Sequence, residues 1–207
     1  KNDNGVIISL NCETDFVGKN ETFVNLAKEI SEIALSCDTI DQLFNSSFDD
    51  KMSVKEKLTE QTGVIGEKIE IGSFVKIKSN FVGSYIHAGN KIATLVGLSE
   101  SFEGCGEVAK NIAMQAAAMN PIALDEKGVS KEVIEKEIEI AKEQLRTEGK
   151  PENMLENIAK GKLKKFFKEN TLVNQQFIKD SKQSISDYLK SQSENAEVTA
   201  FSRVGLV

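Results

Sequence analysis

Tryptophan is absent from this sequence of 207 residues, and proline, histidine and cysteine are scarce. The three cysteines, Cys12, Cys37 and Cys105, are odd in number and show no Cys-x-x-Cys spacing. Such usage is typical of reduced thiols in the cytosol and argues against a disulfide framework or a zinc site. We therefore expect a cytoplasmic protein that holds no metal ion.

Long apolar runs are also missing. No window approaches the roughly eighteen apolar residues that a membrane-spanning helix needs, and we expect no signal peptide. The net charge of -6 argues against a protein that binds nucleic acid through bulk electrostatics. A chain of 207 residues can form one or two domains around a substantial core. We therefore expect neither a membrane nor a nucleic acid as a partner.

A phosphate-binding loop of the form Gly-x-x-x-x-Gly-Lys-Ser/Thr is absent as well. The nearest pattern is Gly104-x-Gly106-x-x-Ala109, which follows a predicted strand and opens a predicted helix, as a dinucleotide fingerprint does. However, residues 99–103 separate that strand from the glycines, and no strand follows the helix. A glycine-rich helix start is the favoured interpretation, and we expect no direct nucleotide binding and no cofactor.

Cys12, Asp15 and His87 are the residue types of a thiol-dependent catalytic site. Cys12, however, follows a predicted buried strand, and nothing in the sequence brings the one histidine close to it. The sequence therefore favours a structural cysteine, and we predict no catalytic residues.

What the sequence does contain is an unusual connection over residues 11–20. Before it, the β-branched apolar run at residues 6–10 predicts a buried strand. After it, apolar residues at helical spacing predict an amphipathic helix with Asn20 as its N-cap. The connection also carries Phe16 and Val17, which a simple link between two elements does not need.

Two interpretations of this connection are open from the residues alone. Phe16 folds back onto the core, as apolar loop residues usually do. Alternatively, Thr14 caps a short helical turn that holds Asp15 and Phe16 outward for a partner.

The segment Asn11-Cys12-Glu13-Thr14-Asp15-Phe16-Val17-Gly18-Lys19-Asn20 resembles the signature of bacterial elongation factor Ts, the family of nucleotide-exchange factors of elongation factor Tu. Further segments that resemble this family follow in the family's order and extend the resemblance over nearly the whole chain. These segments are Val64–Ile69, Gly83–His87, Asn111–Pro121, Gly149–Pro151, Lys164–Phe167 and Asn195–Thr199.

The resemblance implies a translation elongation factor that acts as a guanine-nucleotide exchange factor on elongation factor Tu. Asp15 and Phe16 would enter the nucleotide domain of that partner. There Phe16 would wedge between helices, disturb the elements that hold Mg²⁺ and the phosphates, and so release GDP. The partner-binding positions that the resemblance implies are Thr14, Asp15, Phe16, Val17, Ile65, Gly66 and His87.

Members of this family normally carry a small helical domain and a linker ahead of the signature, and we interpret the sequence as a fragment without them. Two positions depart from the family's pattern. Gly18 stands where alanine is common, and Gln115 stands where histidine is common.

The remaining chain alternates between strand and helix patterns. Period-two alternation predicts antiparallel strands over residues 69–77, 82–86 and 92–98, with a bend or bulge at Gly72-Ser73. A strand is also predicted at residues 198–201.

Helices are predicted before and after these strands along the chain. Ser53 and Glu56 have the spacing of a capping box and open a helix that should end at Gly63. A second helix should begin after Gly104 and end before Pro121.

Two later apolar stripes predict a helical hairpin, because Gly149-Lys150-Pro151 breaks the helical pattern between them. The first stripe has the heptad spacing of a coiled coil. The stripes are Ile134, Ile138, Ala141 and Leu145, then Leu155, Ala159, Leu163 and Phe166.

These patterns, taken with the resemblance, predict an α+β fold of two related subdomains with antiparallel sheets and packed helices, plus an inserted coiled-coil hairpin. The predicted boundaries are residues 1–80 for the N-subdomain with the signature, residues 81–128 and 183–207 for the C-subdomain, and residues 129–182 for the hairpin. An alternative function is a homodimeric scaffold that uses the hairpin as its interaction surface and keeps Phe16 in the core.

Overall fold

The computed structural model describes residues 3–87 and 89–206. The chain has an α+β fold with small antiparallel sheets, as predicted. The strands are β1 (Asn4–Asn11), β2 (Glu70–Lys78), β3 (Phe81–Ile86), β4 (Ile92–Leu98), β5 (Gln176–Phe177), β6 (Asp180–Ser184) and β7 (Val198–Gly205). The α-helices are α1 (Asp15–Gly18), α2 (Glu21–Ala34), α3 (Ile40–Asn45), α4 (Val54–Ile65), α5 (Cys105–Met119), α6 (Lys131–Thr147), α7 (Glu152–Asn170) and α8 (Ile185–Gln192).

The chain divides into two compact units. The first unit comprises residues 1–117 and 199–207, and the second comprises residues 118–198. The three-part division predicted from the sequence stays a prediction. Within the described residues, no helix is both long enough and apolar enough to cross a membrane.

The first sheet pairs β1 with β2 in antiparallel register, with Asn4 opposite Lys78 and Asn11 opposite Glu70. The register shifts where Ser9 faces Ser73 and Leu10 faces Ile71, so Gly72 is the extra residue of a bulge. A Cβ atom at Gly72 would overlap the Asn11 side chain, which explains why glycine occupies this position. The bulge predicted at Gly72-Ser73 is confirmed.

The core of the first unit forms where α2, α3 and α4 pack beside this sheet. Helix α2 is the predicted amphipathic helix, and Asn20 is its N-cap, because the Asn20 side chain accepts a hydrogen bond from the Thr22 N–H at 2.9 Å. Its buried side chains join those of the neighbouring elements in one cluster. This cluster contains Leu10, Phe23, Leu26, Ile30, Ala34, Cys37, Leu43, Val54, Leu58, Ile69 and Ile71.

Helix α4 begins as predicted, with reciprocal hydrogen bonds between Ser53 and Glu56 that form a capping box. The prediction that it ends at Gly63 is wrong, because the helix continues to Ile65. Gly66 ends it instead, with a φ of 79° in the left-handed region that only glycine adopts without strain.

The second sheet of the first unit has the strand order β3-β4-β7. Strands β3 and β4 pair in antiparallel register, as predicted, and β7 confirms the strand predicted near the end of the chain. Helix α5 lies against this sheet, where a Cβ atom at Gly83 would overlap Ala109 and the Thr94 hydroxyl donates to the Ala113 carbonyl at 2.8 Å. Asn120, with a φ of 44°, follows the end of α5 ahead of Pro121, as predicted.

The second unit contains the predicted helical hairpin, in which α6 and α7 pack against each other. Gly149, with a φ of 74°, turns the chain, and Pro151 is the N-cap of α7. Leu145 and Leu155 are almost fully buried on the two helices. The coiled-coil character of the pair stays a prediction.

Candidate functional site

The connection between β1 and α2 folds into a single helical turn, α1, which Thr14 caps. The Thr14 hydroxyl accepts a hydrogen bond from the Val17 N–H at 3.4 Å, and the Gly18 N–H donates to the Thr14 carbonyl at 3.2 Å. Residues 14–18 are called the Thr14 turn below. The prediction that Thr14 caps a short helical turn here is confirmed.

Phe16 and Val17, neighbours in this turn, differ in their exposure to solvent. Phe16 is 83% exposed, so the alternative in which Phe16 packs into the core is wrong. Val17 is half-buried and packs against the core cluster beside β1, α2 and α4. The turn is therefore anchored by its aliphatic residue and presents its aromatic residue to solvent.

Asp15 lies beside Phe16 and forms an ion pair with Lys19 one turn later, at 2.6 Å between Oδ2 and Nζ. The hydrogen bond and the charge of Lys19 lower the pKa of the Asp15 carboxyl, and the charge of Lys91 lowers it further. Asp15 is therefore a carboxylate at neutral pH. It does not cap the turn, because that position belongs to Thr14.

Glu67 connects the Thr14 turn to the chain that follows α4. Its carboxylate accepts hydrogen bonds from the N–H groups of Glu13 and Thr14, both at 2.9 Å, and from the Thr14 hydroxyl at 2.5 Å. These bonds lower the pKa of the Glu67 carboxyl, the Thr14 hydroxyl having the largest effect.

Glu67 is not among the predicted partner-binding positions. Its position directly after Gly66 marks it as the first residue beyond a helix end. The pairing with Thr14, across 53 positions of sequence, has no local signal.

Ile65 and Gly66 end α4 immediately before Glu67. The Gly66 N–H donates to the Thr62 carbonyl at 2.9 Å, and Ile65 is half-buried against the same cluster that receives Val17. Val64 beside them is 73% exposed. Through Glu67, the structure joins two of the predicted partner-binding segments, residues 14–17 and residues 65–66.

His87, the remaining predicted site residue, lies just after β3 and is exposed. Its N–H donates to the Ile92 carbonyl at 2.8 Å, and its Nδ1 lies 3.1 Å from the Tyr85 hydroxyl. In the described chain, no hydrogen bond or ion pair joins His87 to the Thr14 turn. The nearest connection is electrostatic, since Lys91, in the same β3–β4 connection, lowers the pKa of Asp15.

Cys12 lies underneath the Thr14 turn, where its thiol donates to the Thr14 carbonyl at 3.2 Å. Burial raises the pKa of this thiol, and the charge of Glu67 raises it further. A raised pKa disfavours the thiolate that a nucleophilic cysteine requires. Over residues 3–87 and 89–206, no group of three or more His, Cys, Asp or Glu side chains is arranged to hold a metal ion.

Comparison with known proteins finds one family over almost the whole chain. The family model described as Elongation factor TS matches residues 13–206. A protein named Elongation factor Ts from Christiangramia forsetii is 60% identical over 205 residues, which cover 99% of this chain and 74% of the relative. Proteins of the same name are 58% identical in Flavobacterium psychrophilum, over 98% of this chain and 73% of the relative, and 46% identical in Amoebophilus asiaticus, over 98% and 74%.

Proposed function

The chain belongs to the elongation factor Ts family, and from this premise we propose that the Thr14 turn is the part of it that drives GDP out of elongation factor Tu. Family membership makes the chain a translation elongation factor that acts in nucleotide exchange. In our proposal, Asp15 and Phe16 enter the nucleotide domain of elongation factor Tu. Phe16 inserts between helices there and displaces the elements that hold Mg²⁺ and the phosphates.

The observation that carries this proposal is the exposure of Phe16, which is 83% accessible to solvent on a capped and hydrogen-bonded turn. An aromatic ring in water is stabilised by any complex that buries it. Burial of one Phe side chain contributes about 1.5–3 kcal/mol. Because about 1.4 kcal/mol corresponds to a tenfold change, burial of Phe16 could accelerate GDP release by roughly one to two powers of ten. Any further acceleration must come from the remaining contacts with the partner.

The remaining predicted residues have separate roles in this proposal. Thr14 and Val17 act mainly by holding the turn, since Thr14 caps it and Val17 is half-buried. Ile65, Gly66 and His87 are proposed as further contacts with the same partner. The exposed carboxylate of Asp15 is available to a hydrogen-bond donor of the partner, in exchange for Lys19.

An exchange factor of this kind changes a binding equilibrium and makes or breaks no covalent bond. It must bind the nucleotide-free partner more tightly than the GDP-bound partner, and linkage makes this antagonism mutual. The proposed function therefore requires no catalytic residue, cofactor or nucleotide site on this chain.

A homodimer through the helical hairpin stays a separate prediction. The exposed apolar side chains of Ile140 and Met154 on α6 and α7 are the positions at which a second copy would make contact. The hairpin belongs to the second unit, whereas the proposed exchange residues belong to the first unit.

The proposed function is tested by the release of fluorescently labelled GDP from elongation factor Tu, measured by stopped flow with and without this chain. We expect acceleration that increases with the concentration of the chain, with excess unlabelled GDP present to prevent the labelled nucleotide from rebinding. A companion calorimetric titration of the chain alone with GDP should give no heat of binding. Unchanged release, or micromolar binding of GDP to the isolated chain, would contradict the proposal.

A further inference from the structure

We propose that Glu67 is a positioning residue for nucleotide exchange: it fixes the Thr14 turn to the end of α4, so that Phe16 is held in the orientation in which the partner receives it. This inference rests on the proposed function of Phe16. It assigns a role to a residue outside the predicted site.

The contacts of Glu67 all converge on the start of the turn. One carboxylate oxygen, Oε2, accepts from the N–H groups of Glu13 and Thr14, and the other, Oε1, accepts from the Thr14 hydroxyl. Charge-assisted bonds of this kind are stronger than those between neutral groups. Both oxygens of the carboxylate are thus committed to two adjacent residues immediately before α1.

The Thr14 hydroxyl transmits this anchoring to Phe16. A hydroxyl donates one hydrogen bond and accepts others. Here it donates to Glu67 and accepts from the Val17 N–H. Glu67 therefore fixes the rotamer of the N-cap, and the N-cap fixes the backbone on which Phe16 stands.

The turn needs this support because it is too short to maintain itself. Helix α1 contains four residues, none of them buried, and isolated helices of this length are unstable in water. The ion pair between Asp15 and Lys19 is exposed and contributes little. Half-buried Val17, the bond from the Cys12 thiol to the Thr14 carbonyl and the bonds to Glu67 connect the turn to the folded core.

Glu67 itself is fixed by the end of α4. Gly66 adopts a left-handed conformation that redirects the chain after the helix, and its N–H is bonded to Thr62. Lys68, which follows Glu67, forms an ion pair with Glu70 at 2.6 Å. None of the ion pairs among the described residues includes Glu67. The Glu67 carboxylate is therefore not held by a neighbouring cation and is committed to the turn.

Two substitutions of Glu67 remove different numbers of its hydrogen bonds to the Thr14 turn. Glu67→Ala removes every acceptor, whereas Glu67→Gln keeps one oxygen for the backbone N–H groups and an amide that can donate to the Thr14 hydroxyl. The matched control is Glu60→Ala, which removes another carboxylate of the same region, one that pairs with Lys57 on α4 and has no contact with the turn.

Stopped-flow GDP release should be measured for these variants in the natural background and in a Phe16→Ala background. We expect Glu67→Ala to reduce catalysed release by about tenfold with Phe16 present, and by less than about twofold with Phe16 absent, because residues that act through one another are not additive. Glu67→Gln should recover most of the rate, and Glu60→Ala should stay within about twofold of the unmodified chain.

A second measurement needs no partner. Chymotrypsin cleaves after aromatic residues in locally opened segments, so cleavage after Phe16 reports how firmly the turn is held. Glu67→Ala should accelerate this cleavage selectively, while the thermal unfolding midpoint of the chain changes little.

The outcomes separate this inference from the proposed function. If the unmodified chain accelerates GDP release and Glu67→Ala accelerates it equally, the proposed role of Glu67 is wrong, whereas the proposed function is unaffected. The proposed role of Glu67 is also wrong if Glu67→Ala reduces the rate of GDP release equally with Phe16 present and with Phe16→Ala. Equal reductions would show that Glu67 acts independently of Phe16. If the unmodified chain fails to accelerate release, the proposed function fails, and the cleavage assay still reports whether Glu67 holds the turn.

Discussion

The Thr14 turn and the α6–α7 hairpin use apolar side chains in opposite ways. In the hairpin, Leu145 and Leu155 are buried on the two paired helices, and the charged side chains pair across the surface, as Arg146 does with Glu152 at 2.9 Å. In the turn, the largest apolar side chain, Phe16, is the exposed one, and polar bonds from Glu67 hold the backbone.

This difference indicates which region depends on a partner. Leu145 and Leu155 are buried within the unit that contains both helices, so they serve the fold. Phe16 stays exposed among the described residues of its own unit, although the segment that carries it is capped and anchored. Substitutions in the two regions should therefore separate stability from exchange activity.

The largest expected effect on stability is in the hairpin. Leu145 is 1% exposed, so Leu145→Ala should lower the free energy of unfolding by about 2–5 kcal/mol through lost burial and a residual cavity. Thermal unfolding followed by circular dichroism measures this change. Ile140→Ala on the same helix, at a position 41% exposed, is the control and should cost less than about 1 kcal/mol. Comparable losses for both variants would show that the stripe is not the hairpin's core.

A smaller effect on stability, with a larger one on exchange, is expected at the N-cap of the turn. Thr14→Ala removes the hydroxyl that accepts from Val17 and donates to Glu67. Loss of an N-cap should cost about 1 kcal/mol. Catalysed GDP release should fall several-fold, because the backbone under Phe16 loosens. Thr14→Ser keeps the hydroxyl and should retain most of the rate. If Thr14→Ala and Thr14→Ser give equal rates of GDP release, the N-cap hydroxyl does not contribute to exchange.

Gly18→Ala should strengthen the turn. A Cβ atom there would lie 3.5 Å from the Cys12 sulfur, an ordinary contact, and Gly18 does not have a positive φ. Replacing glycine where alanine fits the backbone stabilises proteins by about 0.4–1 kcal/mol. Cleavage after Phe16 by chymotrypsin should slow, and the unfolding midpoint should rise slightly. Faster cleavage would indicate that the sulfur contact strains the turn.

The smallest expected effect is a change in the titration of Cys12. Because burial and the charge of Glu67 raise the pKa of this thiol, its thiolate should be scarce at neutral pH and should form only above the range of a free cysteine. The pH dependence of iodoacetamide labelling at Cys12, followed by peptide mass spectrometry, measures this. In Glu67→Ala the midpoint should move down, since the charge of Glu67, which raises the pKa, is removed. A midpoint at or below that of a free cysteine would contradict the arrangement under the turn.

Most local features of the fold could be predicted from sequence because their signals are local. The apolar run of β1, the stripe of α2 with its Asn20 cap, and the spacing of Ser53 and Glu56 each involve neighbouring residues. The end of α4 cannot be located from the sequence, because Gly63 and Gly66 are both compatible with a helix end. Only the positive φ of Gly66 distinguishes them.

The candidate site was less accessible to sequence reasoning. The outward direction of Phe16 depends on the anchoring of Val17 in the core and on the bonds of Glu67 to residues 53 and 54 positions away. Such pairings arise from tertiary packing and leave no periodicity in the sequence. The resemblance supplied the residues of the turn, and only the structure supplied what holds them.

The central claim is that Phe16 serves the partner and not the fold, and one paired measurement on Phe16→Ala tests it. Because Phe16 is 83% exposed, removal of its ring should cost less than about 1 kcal/mol of unfolding free energy in a thermal melt. On the same preparation, catalysed GDP release from elongation factor Tu should fall about tenfold or more. Leu35→Ala, at another exposed apolar position, should change neither quantity appreciably. A Phe16→Ala chain that melts normally and retains full exchange activity would contradict the account.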